Sequence, residues 1–165
     1  MLTTEPAPSL KHLDDPGRVQ MVDLMGRHET SRTAVAAGRV LLGKAAYDLV
    51  KAGRIRKGDV LTTAQLAGIL GAKHTSQLVP LCHSVSLRGI DLDVELAEDA
   101  HAVDIRAFVK AVGPIGVEME ALTAVSVAAL TVYDMCKSVA KDATITDVRL
   151  LAKTGGQSGD YRREE

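Results

Sequence analysis

Glu118 and Glu120 open, and Asp134 and Lys137 close, a segment that carries no charge between Ala121 and Val132: VEMEALTAVSVAALTVYDMCK, residues 117–137. Carboxylates can give and take protons when their surroundings tune them, and ammonium groups neutralise anions. Each pair also has an ordinary explanation. Asp134 and Lys137 have the i,i+3 spacing of an ion pair on a solvated helix face, and Glu118 and Glu120 are first-turn carboxylates favoured by the helix dipole. The apolar middle calls for burial in a core or against another subunit.

The chain has the length of one domain, 165 residues, with 46% hydrophobic and 25% charged residues. A formal net charge of −1 excludes a general coat for nucleic acid, so an anionic ligand must be met by a local basic cluster. Phe108 and three tyrosines are poor provision for stacking bases on a sheet, which counts against an RNA-binding domain. The two cysteines, Cys82 and Cys136, fit free thiols in a reducing cytoplasm. With no apolar leader and no uncharged stretch near the roughly 20 residues of a membrane span, a soluble cytoplasmic protein without a membrane partner is expected.

Two constellations imitate known sites. Cys82 and His83 invite a thiol–imidazole reading, but neighbours in an extended segment point to opposite faces, and Cys82 alone reads as a small buried hydrophobe. Cys82, His83, Cys136 and His74 lack zinc-site spacing, so no bound metal and no cofactor are expected. TGGQSG, residues 154–159, is followed by too little chain for the helix of a P-loop. Its glycine amides could still meet an anion, or the segment could be a flexible tail.

The elements that must position these residues follow from periodicity. Three of the five prolines fall within the first 16 residues, and residues 1–19 read as a disordered leader before one domain over 20–165 with a short Gly-rich tail. SRTAVAAGRVLL, 31–42, suits a strand with Thr33, Val35 and Ala37 on one side and Arg32 on the other. A short helix over 43–53 stops at Gly53. Residues 58–83 carry Val60, Ala64, Ala67 and Leu70 at helical spacing, with Asp59 as N-cap and Pro80 as the limit. Strands over 86–97 and 101–112 form a hairpin, the second with Val103, Ile105, Ala107, Val109 and Ala111 on one face. A long helix from about Gly116 to Val139 precedes a strand over 144–153 with Val148, Leu150 and Ala152 inward. This is an α+β, ferredoxin-like βαββαβ order: an antiparallel sheet with helices on one face.

The segments QMVDLMGRHETSRTAVA, KGDVLTTAQLAGILGAKHTSQLVPLCH, GVEMEALTAVSVAALTVYDMCKS and RLLAKTGGQSGDYR, spread from Gln20 to Arg163, resemble the signature segments of the cyclic pyranopterin monophosphate synthases of molybdenum cofactor biosynthesis. The resemblance implies a ferredoxin-like lyase, a homohexamer built as a trimer of dimers, that converts a cyclic dihydroguanosine triphosphate into cyclic pyranopterin monophosphate and pyrophosphate. It implies catalytic roles for Asp134, Lys137 and Lys57. It implies substrate binding by Leu81, Cys82, His83, Glu118, Met119, Glu120, Arg32, Lys73 and Lys153. Three positions depart from the family pattern: Gln157 and Arg27 stand where lysine is usual, and Ser84 where proline is. A catalytically impaired paralogue or a ferredoxin-like small-molecule-binding module are the alternatives.

The chemistry suits the residues. A triphosphate needs gathered lysine and arginine, and pyrophosphate leaves only if its charge is neutralised. Along one helix, Glu120 and Asp134 are fourteen residues and so about 21 Å apart. A site using both must draw them from different subunits.

Overall fold

The computed structural model describes residues 17–164, so most of the expected leader lies outside the described residues. Strand β1 (Thr30–Leu41) is followed by helices α1 (Lys44–Lys51), α2 (Val60–Lys73) and α3 (Thr75–Leu78). Strands β2 (Leu87–Ala97) and β3 (Ala102–Gly113), helix α4 (Glu118–Cys136), and strands β4 (Thr144–Thr154) and β5 (Tyr161–Arg162) complete the order. The sheet runs β2-β3-β1-β4-β5 with every neighbouring pair antiparallel. Helices α2 and α4 pack on one face of it and on each other, giving the ferredoxin-like arrangement.

Alternation decides which face is covered. On β1, Arg32, Ala34, Ala36, Gly38 and Val40 are turned to the helices, and Thr33, Val35 and Ala37 to the open side. On β3, Val103, Ile105, Ala107, Val109 and Ala111 are buried as the period-two pattern requires. Gly38 sits at the centre because α4 rests on it: a Cβ there would come within 2.6 Å of Val125 Cγ1. By length and composition alone α4 could cross a membrane. Its apolar character is accounted for by full burial of Ala121, Ala124, Val125, Ala128, Ala129 and Val132. Burying each valine contributes about 1.5–3 kcal/mol.

Two expectations are corrected. The helix bounded in sequence only by Pro80 stops earlier: α2 ends at Lys73, and Thr75 Oγ1 donates to the carbonyls of Gly71 and Ala72, closing its last turn. Asp59 is its N-cap, accepting from the Thr62 amide at 3.1 Å. The face of α2 that meets α4 is marked by glycine rather than by the apolar spacing; Gly68 and Gly71 are buried, whereas Leu70 is 55% exposed. A Cβ on Gly68 would lie 2.9 Å from the Ala124 carbonyl oxygen, so only glycine admits this helix contact.

The second correction is in β4. A register shift opposite Val35 and Ala36 leaves Leu151 as an extra residue: Ala36 pairs with Leu150, but Val35 pairs with Ala152 and Ala34 with Lys153. Leu150 therefore faces the helices, Ala152 faces the open side, and Lys153 joins Arg32 on the helix side. Val148, next to the β1 glycine, is 39% exposed rather than buried. The segment expected as a Gly-rich tail turns back on the sheet, where Lys153 and Ala152 pair with Tyr161 and Arg162.

Candidate active site

Helix α4 divides the chemistry-bearing residues into two groups, one at each end. At its C-terminal end Asp134 accepts hydrogen bonds from two ammonium groups, Lys57 Nζ at 2.6 Å and Lys137 Nζ at 2.7 Å. Lys57 also donates to the Asp134 carbonyl oxygen at 2.9 Å, so the loop before α2 is tied to the end of α4. All three side chains are about half-exposed. The hydrogen bonds from Lys137 and then Lys57 lower the Asp134 carboxyl from 3.8 to about 2. Asp134 in turn raises the Lys137 ammonium. The i,i+3 spacing gave the Asp134–Lys137 pair; nothing in local sequence gave Lys57, which is 77 positions away.

At the N-terminal end the carboxylates diverge. Glu118, half-buried, lines a cleft of about 430 Å³ whose other walls include Arg27, Arg32, Lys153 and Gln157. Arg32 is 9% exposed, with Nε donating to the Gly113 carbonyl at 3.1 Å. Gly155 and Gly156 wrap it in the left-handed region, φ 85° and 90°. Gly156 lies directly against Arg32 Nη1, so a Cβ there would take the guanidinium's place. Lys153 Nζ is held by Ser158 Oγ at 2.6 Å. The result is a guanidinium and an ammonium converging on one cleft floored by a glycine turn, an arrangement suited to a polyanion.

Glu120, one helical step further, points the other way. It is 3% exposed, its Oε2 atom has no hydrogen-bond partner among the described residues, and its Oε1 atom accepts a long contact from Cys82 Sγ at 4.0 Å. Burial raises the carboxyl above the ordinary carboxylate range. A buried, half-satisfied carboxyl costs free energy in the empty protein, so it is a candidate to bind a donor that arrives with a ligand. First-turn position predicted neither its burial nor its missing partner.

Leu81, Cys82, His83 and Met119 border a mostly apolar hollow of about 410 Å³ that shares Arg27 and Ile115 with the anionic cleft. Cys82 is half-buried, not a core residue, and burial followed by the Glu120 charge raises its thiol. Its Sγ contacts the His83 carbonyl at 3.8 Å rather than the imidazole, so the pair forms no dyad. Ser84 Oγ is 3.0 Å from Ser76 Oγ, which anchors the segment carrying His83 to α3. Lys73 ends α2 exposed and lines neither hollow. Among the described residues no group of three or more His, Cys, Asp or Glu is placed to hold a metal ion. Sequence reasoning missed His28, just before β1, and Ile115, in the β3–α4 turn, as walls of the cleft, and gave no sign that Ser158 of the TGGQSG segment would hold Lys153.

Residues 21–156 match the MoaC family. The chain is 58% identical over 154 residues, 93% of its length, to a Salinibacter ruber protein named cyclic pyranopterin monophosphate synthase, of which 91% is covered. Identity is 54% to a Heliobacterium modesticaldum protein of the same name, over 94% of this chain and 98% of that one. It is also 54% to the Mus musculus protein named molybdenum cofactor biosynthesis protein 1, where this chain spans 24% of the relative's length.

Proposed function

The chain belongs to the MoaC family, and we propose that it is a lyase of molybdenum cofactor biosynthesis that converts a cyclic dihydroguanosine triphosphate into cyclic pyranopterin monophosphate and pyrophosphate. The observation that carries this reading is the carboxylate of Asp134 held between Lys57 and Lys137, three residues the family resemblance assigned to catalysis and the fold gathers from two distant segments.

Forming a cyclic monophosphate from a triphosphate requires a new phosphorus–oxygen bond at the α-phosphorus and cleavage of the bond to the bridging oxygen. That oxygen leaves with the electron pair as pyrophosphate. Arg32 and Lys153 bind the phosphate chain in the cleft, and a lysine opposite the leaving oxygens neutralises the charge they gain. Asp134 at about 2 is ionised at neutral pH, so in the empty site it holds the two lysines in place rather than donating a proton. A phosphate that draws Lys57 and Lys137 toward itself removes the groups that depress Asp134, and the carboxylate becomes a better base when substrate is present. Glu120, with Leu81 to His83 and Met119, faces the purine-derived part, and Glu118 serves the rim of the phosphate cleft.

We also infer a homohexamer, a trimer of dimers, with sites between subunits. The two residue groups lie at opposite ends of a 19-residue helix, too far apart for one small substrate within a single chain. Free Cys82 and Cys136 support a cytoplasmic location, and a formal net charge of −1 argues against nucleic acid as a partner.

Purified protein incubated with the cyclic guanosine triphosphate intermediate should release pyrophosphate and a pterin in equal amounts. Lys57→Ala and Lys137→Ala should each lose most turnover while the melting temperature falls by no more than about a few degrees, the loss of one half-exposed ion pair. Pyrophosphate release without pterin, or wild-type rates in both variants, would refute the assignment.

A further inference from the structure

A carboxylate stands behind the cationic cleft, where by charge alone it weakens the hold on an anion. Asp160 does not line the cleft; it borders a separate hollow with Arg106, Tyr161 and Arg162. It forms no ion pair with a described residue. Its Oδ1 atom accepts a hydrogen bond from the Gly155 amide at 3.0 Å. The Gly155 carbonyl in turn accepts from Lys153 Nζ at 3.5 Å, the ammonium that Ser158 Oγ also holds. That carbonyl belongs to the peptide leading into Gly156, which lies against Arg32 Nη1. The two-glycine unit therefore meets Asp160 on one side and both cations of the cleft on the other. Both ends of the turn are tied to the sheet: Thr154 Oγ1 lies 2.7 Å from Thr33 Oγ1, and the Arg163 amide and Nε donate to the carbonyls of Leu151 and Leu150 at 2.8 and 2.9 Å. Between these ties Gly155, Gly156 and Gly159 take φ of 85°, 90° and 70°, and glycine has more backbone freedom to lose than any other residue. Within residues 155–159 the amides bonded to described groups are those of Gly159, to the Gly156 carbonyl at 3.1 Å, and Gly155, to Asp160.

We infer that Asp160 is a positioning residue for the phosphate cleft: from behind the turn it fixes the Gly155–Gly156 unit that sets Lys153 and Arg32 in place, an inference that rests on the proposed reading of this cleft as the one that takes the phosphates. The carboxylate touches neither substrate nor cation and acts through the peptide group it orients. Its hydrogen bond is formed before any ligand arrives, so the backbone entropy of the glycines is lost on folding rather than on binding. Charge and geometry make opposite demands here. As a charge, Asp160 opposes an anion in the cleft; as an acceptor, it keeps the two cations converged on that anion. Removing it separates the two effects by sign, because Coulombic relief alone tightens anion binding and a released glycine turn loosens it.

The test is pyrophosphate binding to the full chain by calorimetry, beside steady-state turnover of the cyclic triphosphate. Asp160→Ala should weaken pyrophosphate binding about fivefold, the factor one hydrogen bond carries. It should raise KM by about the same factor with kcat within about twofold, because bound substrate and transition state share the grip on the phosphates. Asp160→Asn keeps the acceptor oxygen and loses the charge, so it should bind pyrophosphate at least as tightly as the wild type. Hydrogen–deuterium exchange resolved to single residues should find the Gly155 amide protected in the wild type and in Asp160→Asn, and unprotected in Asp160→Ala, while β1 and β3 keep their protection. The wild-type reading needs no variant, so the inference remains open to refutation even if Asp160→Ala does not fold. Pyrophosphate bound as tightly or more tightly by Asp160→Ala, an asparagine variant no better than alanine, or an unprotected Gly155 amide in the wild type would each overturn it. Lys153→Met separates this outcome from failure of the cleft itself. If Lys153→Met loses pyrophosphate affinity and Asp160→Ala does not, the positioning role alone fails; if Lys153→Met loses none, the phosphates bind elsewhere and both readings fall.

Discussion

Glu120 and Asp134 stand near opposite ends of α4 in opposite electrostatic conditions: burial raises the first carboxyl, whereas two lysines lower the second to about 2. One helix thus presents a carboxyl inclined to keep its proton and a carboxylate inclined to lose it. Two titratable groups with values pushed apart are the arrangement that acid–base chemistry uses.

The first prediction concerns Glu120. Its folded-state value lies above its unfolded one, so between the two the folded protein binds more protons, and stability falls as pH rises through that window. Glu120→Gln removes the titration. Denaturant unfolding at pH 4 and pH 8 should give a variant close to wild type at the lower pH and about 1–2 kcal/mol more stable at the higher. A wild type whose stability rises across that range relative to the variant would show that Glu120 is paired in solution.

Asp134 gives the opposite sign. Its folded value is depressed, so its contribution is present above the ordinary value of 3.8 and is lost as pH falls through about 2. Carboxyl-carbon NMR should show Asp134 titrating near 2 in the wild type and moving up toward 3.8 in Lys137→Ala, which removes the first cause of the lowering. A smaller upward shift should appear in Lys57→Ala. A titration at 3.8 in the wild type would mean that neither ammonium stays against it in water.

The division of labour between sequence and structure is visible in single residues. Periodicity placed the β3 core face and the long helix because Val103 to Ala111 alternate strictly and α4 is uniformly apolar. It failed where backbone geometry departs from a regular repeat. The extra Leu151 turns Ala152 outward and Lys153 inward, and no side-chain pattern announces a bulge. Glycine carried the α2–α4 contact, which a search for large apolar residues passes over. At the site, the Asp134–Lys137 pair is local and was legible. Lys57 reaching Asp134 and the missing partner of Glu120 are tertiary facts that exist only once the chain is folded.

Gln157 lines the cleft with Arg32, Lys153 and Arg27, so its substitution tests whether that cleft takes the phosphates. Gln157→Lys adds a cation beside them and should tighten substrate binding about fivefold, on the order of 1 kcal/mol for an added partly exposed charge contact. The gain should shrink as salt is raised. Calorimetry with the substrate and with pyrophosphate measures it; equal or weaker affinity for both would place the phosphates elsewhere.

The last prediction tests whether the two ends of α4 meet across subunits. Asp134→Ala and Glu120→Ala homogeneous proteins should each be nearly inactive, since every site in them lacks one carboxyl. If a site takes Glu120 from one protomer and Asp134 from its neighbour, dissociating the two variants, mixing them and reassembling produces interfaces with one intact site and one site missing both groups. Random pairing places unlike protomers at about half of the interfaces, and each of those carries one intact site of two, so recovery should approach about a quarter of wild-type turnover. Subunit exchange must be confirmed independently, by mass spectrometry of intact mixed assemblies. Activity well above both homogeneous variants would place the acid-favouring and base-favouring ends of the helix in one site. Confirmed exchange with no recovery would assign Glu120 and Asp134 to separate tasks within one chain.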